Sequence, residues 1–269
     1  MNNSQNNVKS TIRPAAVSGQ FYPANPAELE QMVKSLLSGV HDIPAPAKAI
    51  IAPHAGLVYS GPIAATVYAS LLADKERISR VVLLGPSHRV YLEGLALSSA
   101  DYYETPLGKI EIDQDAYGSV RDLPQVSVSD AAHAQEHSLE VHLPFLQLVL
   151  DHFKLVPIVV GEASAEEVAE VLEILWGDEN TQIIISSDLS HFHDYETAKQ
   201  LDLSTSKAIE NLQLEAIGSQ QACGCMPMRG LLQIAKNKHL KVKTLDLRNS
   251  GDTAGTKDRV VGYGAYSVN

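Results

Sequence analysis

Cysteine is nearly absent from this chain of 269 residues: there are two, Cys223 and Cys225, with one glycine between them. A disulfide-built scaffold is therefore excluded, and a bridge across a single residue would be strained. The pair reads either as thiols for metal or redox work or as two small apolar fillers at a loop. Basic charge is also short, with 21 Lys and Arg against 32 Asp and Glu and a formal net charge of −11. No run of Lys and Arg reverses this locally, so nucleic acid and anionic membranes are not expected partners. No apolar stretch reaches the roughly 18 residues of a membrane span. The first ten residues lack the apolar core of a signal peptide. Residues 1–12 read as a polar tail, and a cytoplasmic location is the expectation. Internal repeats, low-complexity linkers and breaks in composition are missing too. Residues 13–269 therefore read as one domain.

What is present is an alternation of helical and strand patterns. Asn25-Pro26-Ala27-Glu28 supplies an N-cap and Pro at N1 for a helix through about Leu37. Ser164 and Glu167 form a capping box before a helix to about Leu175. Further helices are expected at Pro62–Leu72, Ser138–Leu150, Ala198–Leu212 and Pro227–Ala235. Strands are expected at Lys48–Ala52, Arg80–Leu84, Gly94–Ser98, Lys109–Ile112, Lys154–Val160, Gln182–Ser186, Lys241–Leu247 and Arg259–Val268. The pattern predicts a single α/β sandwich with a mixed, largely parallel central sheet.

Two buried-type strands end in a Gly/Pro break followed by histidine: Ile50-Ile51-Ala52-Pro53-His54 and Leu84-Gly85-Pro86-Ser87-His88. Carboxyl ends of parallel strands are where α/β proteins build their sites. Neighbouring strands lie about 5 Å apart, so both imidazoles can reach one metal ion. A third strand end carries Asp188-Leu189-Ser190-His191. There Asp188 either caps a turn or orients a ring, and His191 is a candidate acid/base or ligand. In Glu136-His137-Ser138-Leu139-Glu140-Val141-His142 the spacing fails the metalloprotease helix pattern. Glu136 and His137 there either line a pocket or begin a solvated helix. Cys223 approaches a helix start, which favours thiolate. A thiolate with two imidazoles suits copper, iron or zinc.

Taken together, Ser18-Gly19-Gln20-Phe21-Tyr22-Pro23, IIAPHAGLVYSG, LLGPSH, Thr105-Pro106-Leu107-Gly108, EHSLEVHLPFL, SSDLSHF, ACG and the closing GYGAYSV resemble the Memo family, protein B of the AmmeMemoRadiSam system. The resemblance implies a fold like that of LigB-type class III extradiol dioxygenases, which hold non-haem iron with two His and a carboxylate. It implies that His54, His88 and Cys223 are metal ligands, with the Cys-Gly match selecting Cys223 over Cys225. It places Asp188 and His191 in the same pocket and His137 on its lining, as candidate catalytic residues. A Cys standing where a carboxylate ligand is expected implies altered chemistry rather than ring cleavage. The resemblance therefore implies a copper- or iron-dependent oxidoreductase acting on a small molecule. Its alternatives are a non-catalytic module binding peptides or proteins and a zinc hydrolase that uses Glu136, His137 or His191 as base. By family association it also implies radical SAM and AMMECR-type proteins as partners.

Overall fold

Four apolar runs supply the spine of the molecule, because residues buried on both faces of a strand fit only inside a layered sheet. In the computed structural model, which describes residues 10–269, the elements follow in this order. First come β1 (Ile12–Arg13), α1 (Pro26–Ser38), β2 (Ala49–Ala52), α2 (Leu57–Tyr68), β3 (Arg80–Pro86) and β4 (Leu95–Leu97). Next are β5 (Tyr102–Thr105), β6 (Gly108–Glu111), α3 (Gln114–Val120), β7 (Val126–Val128), α4 (Asp130–Ala134) and α5 (Leu143–Val149). Then β8 (Lys154–Val160), α6 (Ala165–Leu175), β9 (Thr181–Ser186), β10 (His191–His193), α7 (Tyr195–Glu210), α8 (Cys225–Asn237), β11 (Val242–Asn249) and β12 (Val260–Val268) complete the chain. Most of the segment read as a tail, residues 1–9, lies outside the described residues. Ile12 already pairs with Tyr102 in a small sheet ordered β1-β5-β6.

The large sheet runs β10-β12-β2-β9-β3-β8-β4-β7, with β11 also paired to β12. Its centre, β2-β9-β3-β8, is parallel, and antiparallel pairings at β12 and β4 make it mixed. The central strands are apolar and almost wholly buried: Ile50, Ile51, Leu83, Leu84, Ile158, Ile183, Ile184 and Ile185 are all at 0% exposure. Each such side chain contributes about 1.5–3 kcal/mol of transfer free energy. Helix α8 packs on β3 and β9 with α6 against it, while α1, α2 and α5 pack together and α2 covers β2 and β12. Because four neighbouring strands point the same way, the loops after Ala52, Pro86, Val160 and Ser186 share one edge of the sheet. Among the described residues, no helix is long and apolar enough to cross a membrane.

Three expected helices differ. The one expected at Pro62–Leu72 starts at Leu57 and carries Pro62 inside it, followed by a 3-10 turn at Ala69–Asp74. Burial of Leu57 outweighs the hydrogen bond that Pro62 cannot donate. The Ser138–Leu150 pattern divides into a 3-10 turn at Glu140–His142 and α5, with Pro144 in the first turn of that helix. Helix α7 begins earlier than Ala198, because the Asp194 side chain caps it through the Thr197 N–H.

Candidate metal centre

The edge formed by the parallel strand ends gathers histidines and one thiol. His54 follows β2, His88 follows β3, and Cys223 precedes α8. One nitrogen of each histidine and the Cys223 sulfur all lie within 4.8 Å of one another. The Cys223 Sγ is 3.4 Å from His54 Nε2. Two ligands of one tetrahedral ion, each roughly 2.1–2.3 Å from it, stand about 3.6 Å apart. The three side chains therefore fit a metal ion.

Hydrogen bonding decides which ring nitrogens are free. The Ser186 hydroxyl, at the end of β9, donates to the Ser138 carbonyl at 2.6 Å. With its hydrogen committed, Ser186 Oγ can only accept from His54 Nδ1 at 2.6 Å and from His142 Nε2 at 2.8 Å. His142 Nδ1 then accepts from the Tyr68 hydroxyl at 2.8 Å. The chain of bonds fixes His54 as the Nδ1–H tautomer and turns its Nε2 lone pair toward Cys223. His88 reaches the same state by another route, donating Nδ1–H to Glu136 Oε1 at 2.9 Å. Glu136 also accepts from the backbone N–H groups of His88, His137 and Ser138. Burial alone would raise its carboxyl, but the His88 contacts and these donors hold it down at about 2.

The His54 ring is disfavoured from taking a charge, which suits a ligand. Burial lowers His54 well below its ordinary value, and the neighbouring His88, His137, His142 and His191 add to this. Burial likewise takes His142 to about 3. Burial and then His88 bring His137 to about 4. Burial and the adjacent Asp188 push the Cys223 thiol up, opposite to the lowering expected from its place at a helix start. Gly224 is required beside it: a Cβ there would meet the Ser186 carbonyl and the Ser187 side chain, onto which this turn docks.

The other expected residues fall in distinct places. His137 stacks on His88 with ring centroids 4.6 Å apart and lies 5.4 Å from the His54 ring. Its Nδ1 is buried without a hydrogen-bond partner. Together with His88 and Glu136 it forms a second group of donors within 4.8 Å. Asp188 is buried and accepts from the His54 N–H at 2.8 Å, so it pins the loop that carries His54. Burial raises its carboxyl, opposed by that bond and by His191. His191 belongs to neither donor group and donates Nδ1–H to the Leu189 carbonyl at 2.8 Å. Cys225 lines, with Cys223 and Met226, a cavity of 160 Å³ next to the cluster. Sequence reasoning missed Ser186, His142 and Tyr68. Ser186 and His142 lay inside the quoted stretches SSDLSHF and EHSLEVHLPFL without a role assigned to either.

The family model for Memo-like proteins matches residues 13–267. A MEMO1 family protein of Methanosarcina barkeri is 35% identical over 271 residues, covering 96% of this chain and 100% of that protein. One from Aquifex aeolicus is 35% identical over 263 residues, covering 94% and 97%. One from Archaeoglobus fulgidus is 38% identical over 272 residues, covering 94% and 97%. The chain belongs to the Memo family.

Proposed function

We propose that this protein is a metal-dependent oxidoreductase that holds one iron or copper ion with His54 Nε2, His88 Nε2 and Cys223 Sγ. The observation that carries the reading is the pair of preset imidazole tautomers, each with its Nδ1–H committed and its Nε2 left free, on rings that stand beside the half-buried Cys223 thiol. Iron or copper bound there would supply one-electron chemistry, and the soft thiolate favours these metals over ions that prefer oxygen ligands. The chain's own residues do the rest. Ser186 and Glu136 hold the two rings in orientation, and Asp188 holds the His54 loop. His137, whose buried Nδ1 has no hydrogen bond and lies 3.3 Å from Glu136 Oε1, is the group placed to take a proton on the His88 side. His191 serves as a second proton-transfer group.

Elemental analysis of anaerobically purified protein tests this. Iron or copper equimolar with protein is expected. Cys223→Ser should weaken binding more than about tenfold, about 1.4 kcal/mol, whereas His191→Ala should leave metal content intact. Zinc alone would redirect the reading to hydrolysis. Protein that takes up no added metal would leave the cleft as a binding module.

A further inference from the structure

Among the described residues, three that are not glycine have left-handed backbone: Phe192 at φ 64°, Leu212 at 53° and His239 at 58°. Leu212 and His239 each follow a helix cap, Asn211 after α7 and Lys238 after α8. A left-handed residue there lets the next N–H groups reach the last helical carbonyls, as Gln213 N to Ala208 O and Leu240 N to Ala235 O do at 2.9 and 2.8 Å. Phe192 has no such task. It lies in β10 as the extra residue of a bulge, between His191 opposite Val261 and His193 opposite Val260. Glycine or asparagine takes this conformation readily, and a bulky aromatic does so under strain.

Strain of this kind persists where the surroundings impose it and function uses it. Packing does not account for the choice of residue, since Phe192 is 60% exposed. The bulge does have a directional effect. In a regular strand successive side chains face opposite ways, yet the rings of His191 and Phe192 lie side by side, with centroids 5.6 Å apart and planes at 73°. The Arg259 guanidinium lies over the Phe192 ring at 4.5 Å. A cation–π contact at an exposed site is a weak reason to keep a strained backbone. His191 in turn stands three residues after Asp188, which accepts from the His54 N–H at 2.8 Å, and the intervening Leu189 N–H donates to the Gly262 carbonyl of β12 at 2.8 Å, so the His191–Phe192 pair follows directly on the loop that borders the cleft.

We infer that Phe192 is a specificity-determining residue: an aromatic platform beside His191 on which a planar, unsaturated group of the substrate stacks. The inference rests on reading the His54, His88 and Cys223 cleft as the place where substrate is transformed. Ring stacking on an exposed aromatic face selects flat π systems over saturated rings of the same size.

Phenol and cyclohexanol serve as matched probes in saturation-transfer NMR, with thermal unfolding of the same samples. The wild type should bind phenol in preference to cyclohexanol. Phe192→Gly and Phe192→Asn should lose most of that preference, at least threefold, while Tm stays level or rises by about 2–4 °C as strain is released. Phe192→Leu, which keeps the strain and loses the ring, should lose the preference with no rise in Tm. Any other combination overturns the assignment. In particular, a fall in Tm of the Gly and Asn variants with phenol binding unchanged would make the ring a clamp for Arg259. Metal content measured alongside reports separately on the proposed function. Metal-free protein sinks that reading and leaves the phenol result to stand or fall by itself.

Discussion

Two polar clusters, one wholly buried and one open to solvent at His88, grow from the same short segment, residues 136–142, and they differ in how fully their hydrogen-bonding capacity is used. Around Glu140, at 0% exposure, every acceptor is taken. The carboxylate receives the Arg13 guanidinium, the Tyr22 hydroxyl and the backbone N–H groups of Ala16 and Val17. Arg13 also donates from Nε and Nη2 to the carbonyls of His133 and Glu136. Around His54 and His88, by contrast, one nitrogen of each ring is left without a protein partner other than the Cys223 thiol. Buried polar groups are costly unless paired. The closed cluster is therefore structural, tying residues 13–22 across the fold so that Phe21 packs on His137 at 4.8 Å between ring centroids. The open cluster leaves unpaired the groups that could hold a metal ion.

The comparison breaks most visibly at Glu140. Glu140→Gln leaves the buried Arg13 charge without its counter-ion, which costs about 3–5 kcal/mol. Urea unfolding should show this as a large drop in midpoint, with metal content of the still-folded fraction retained. A variant as stable as the wild type would show that the closed cluster is no more structural than the open one.

Asp202 stands between the two cases. It is buried, and one oxygen accepts from the Ser190 N–H at 3.0 Å while the other has no partner. Its approach depends on Gly262, where a Cβ would run into the carboxylate. Burial raises its carboxyl from the ordinary 3.8 to about 6, against the pull of Ser190 and His191. A folded-state value above the unfolded one means that the native protein binds the extra proton. The contribution is favourable below about pH 4 and is lost as pH rises through about 6, leaving a cost of about 2–3 kcal/mol at pH 8. Asp202→Asn should therefore be more stable than the wild type by about 2 kcal/mol at pH 8 and equal to it near pH 4. A stability difference that does not change between those two pH values would refute the assignment.

Much of the frame could be read from sequence because its signals are local. Strand β8 keeps the expected bounds, Lys154–Val160, and the Ser164 and Glu167 capping box starts α6 where expected. His54 and His88 stood out because an apolar run followed by Pro marks a strand end without reference to any other part of the chain. Elements that owe their form to distant partners did not stand out. Strand β1 exists only because β5 pairs with it, and β10 only because β12 does. The proton order at the centre was hidden for the same reason: Ser186 meets His54 across 132 residues and His142 across 44. Nothing near a serine at the end of a strand says that two histidines will donate to it.

That serine gives the smallest and most discriminating test. Ser186→Ala removes the one acceptor that holds His54 Nδ1–H, so the ring is free to take the other tautomer or to turn its Nε2 away from Cys223. Outer partners of metal-bound histidines are worth about 10–100-fold in metal affinity, about 1.4–2.8 kcal/mol. The proposed ligand atoms themselves are untouched. Cobalt titration should then show weaker binding while the thiolate-to-cobalt absorption band of Cys223 persists at saturation. Cys223→Ser should instead abolish that band. Unchanged affinity in the alanine variant would mean that the His54 tautomer is set by the thiol rather than by Ser186, and the open cluster would owe its readiness to the metal itself.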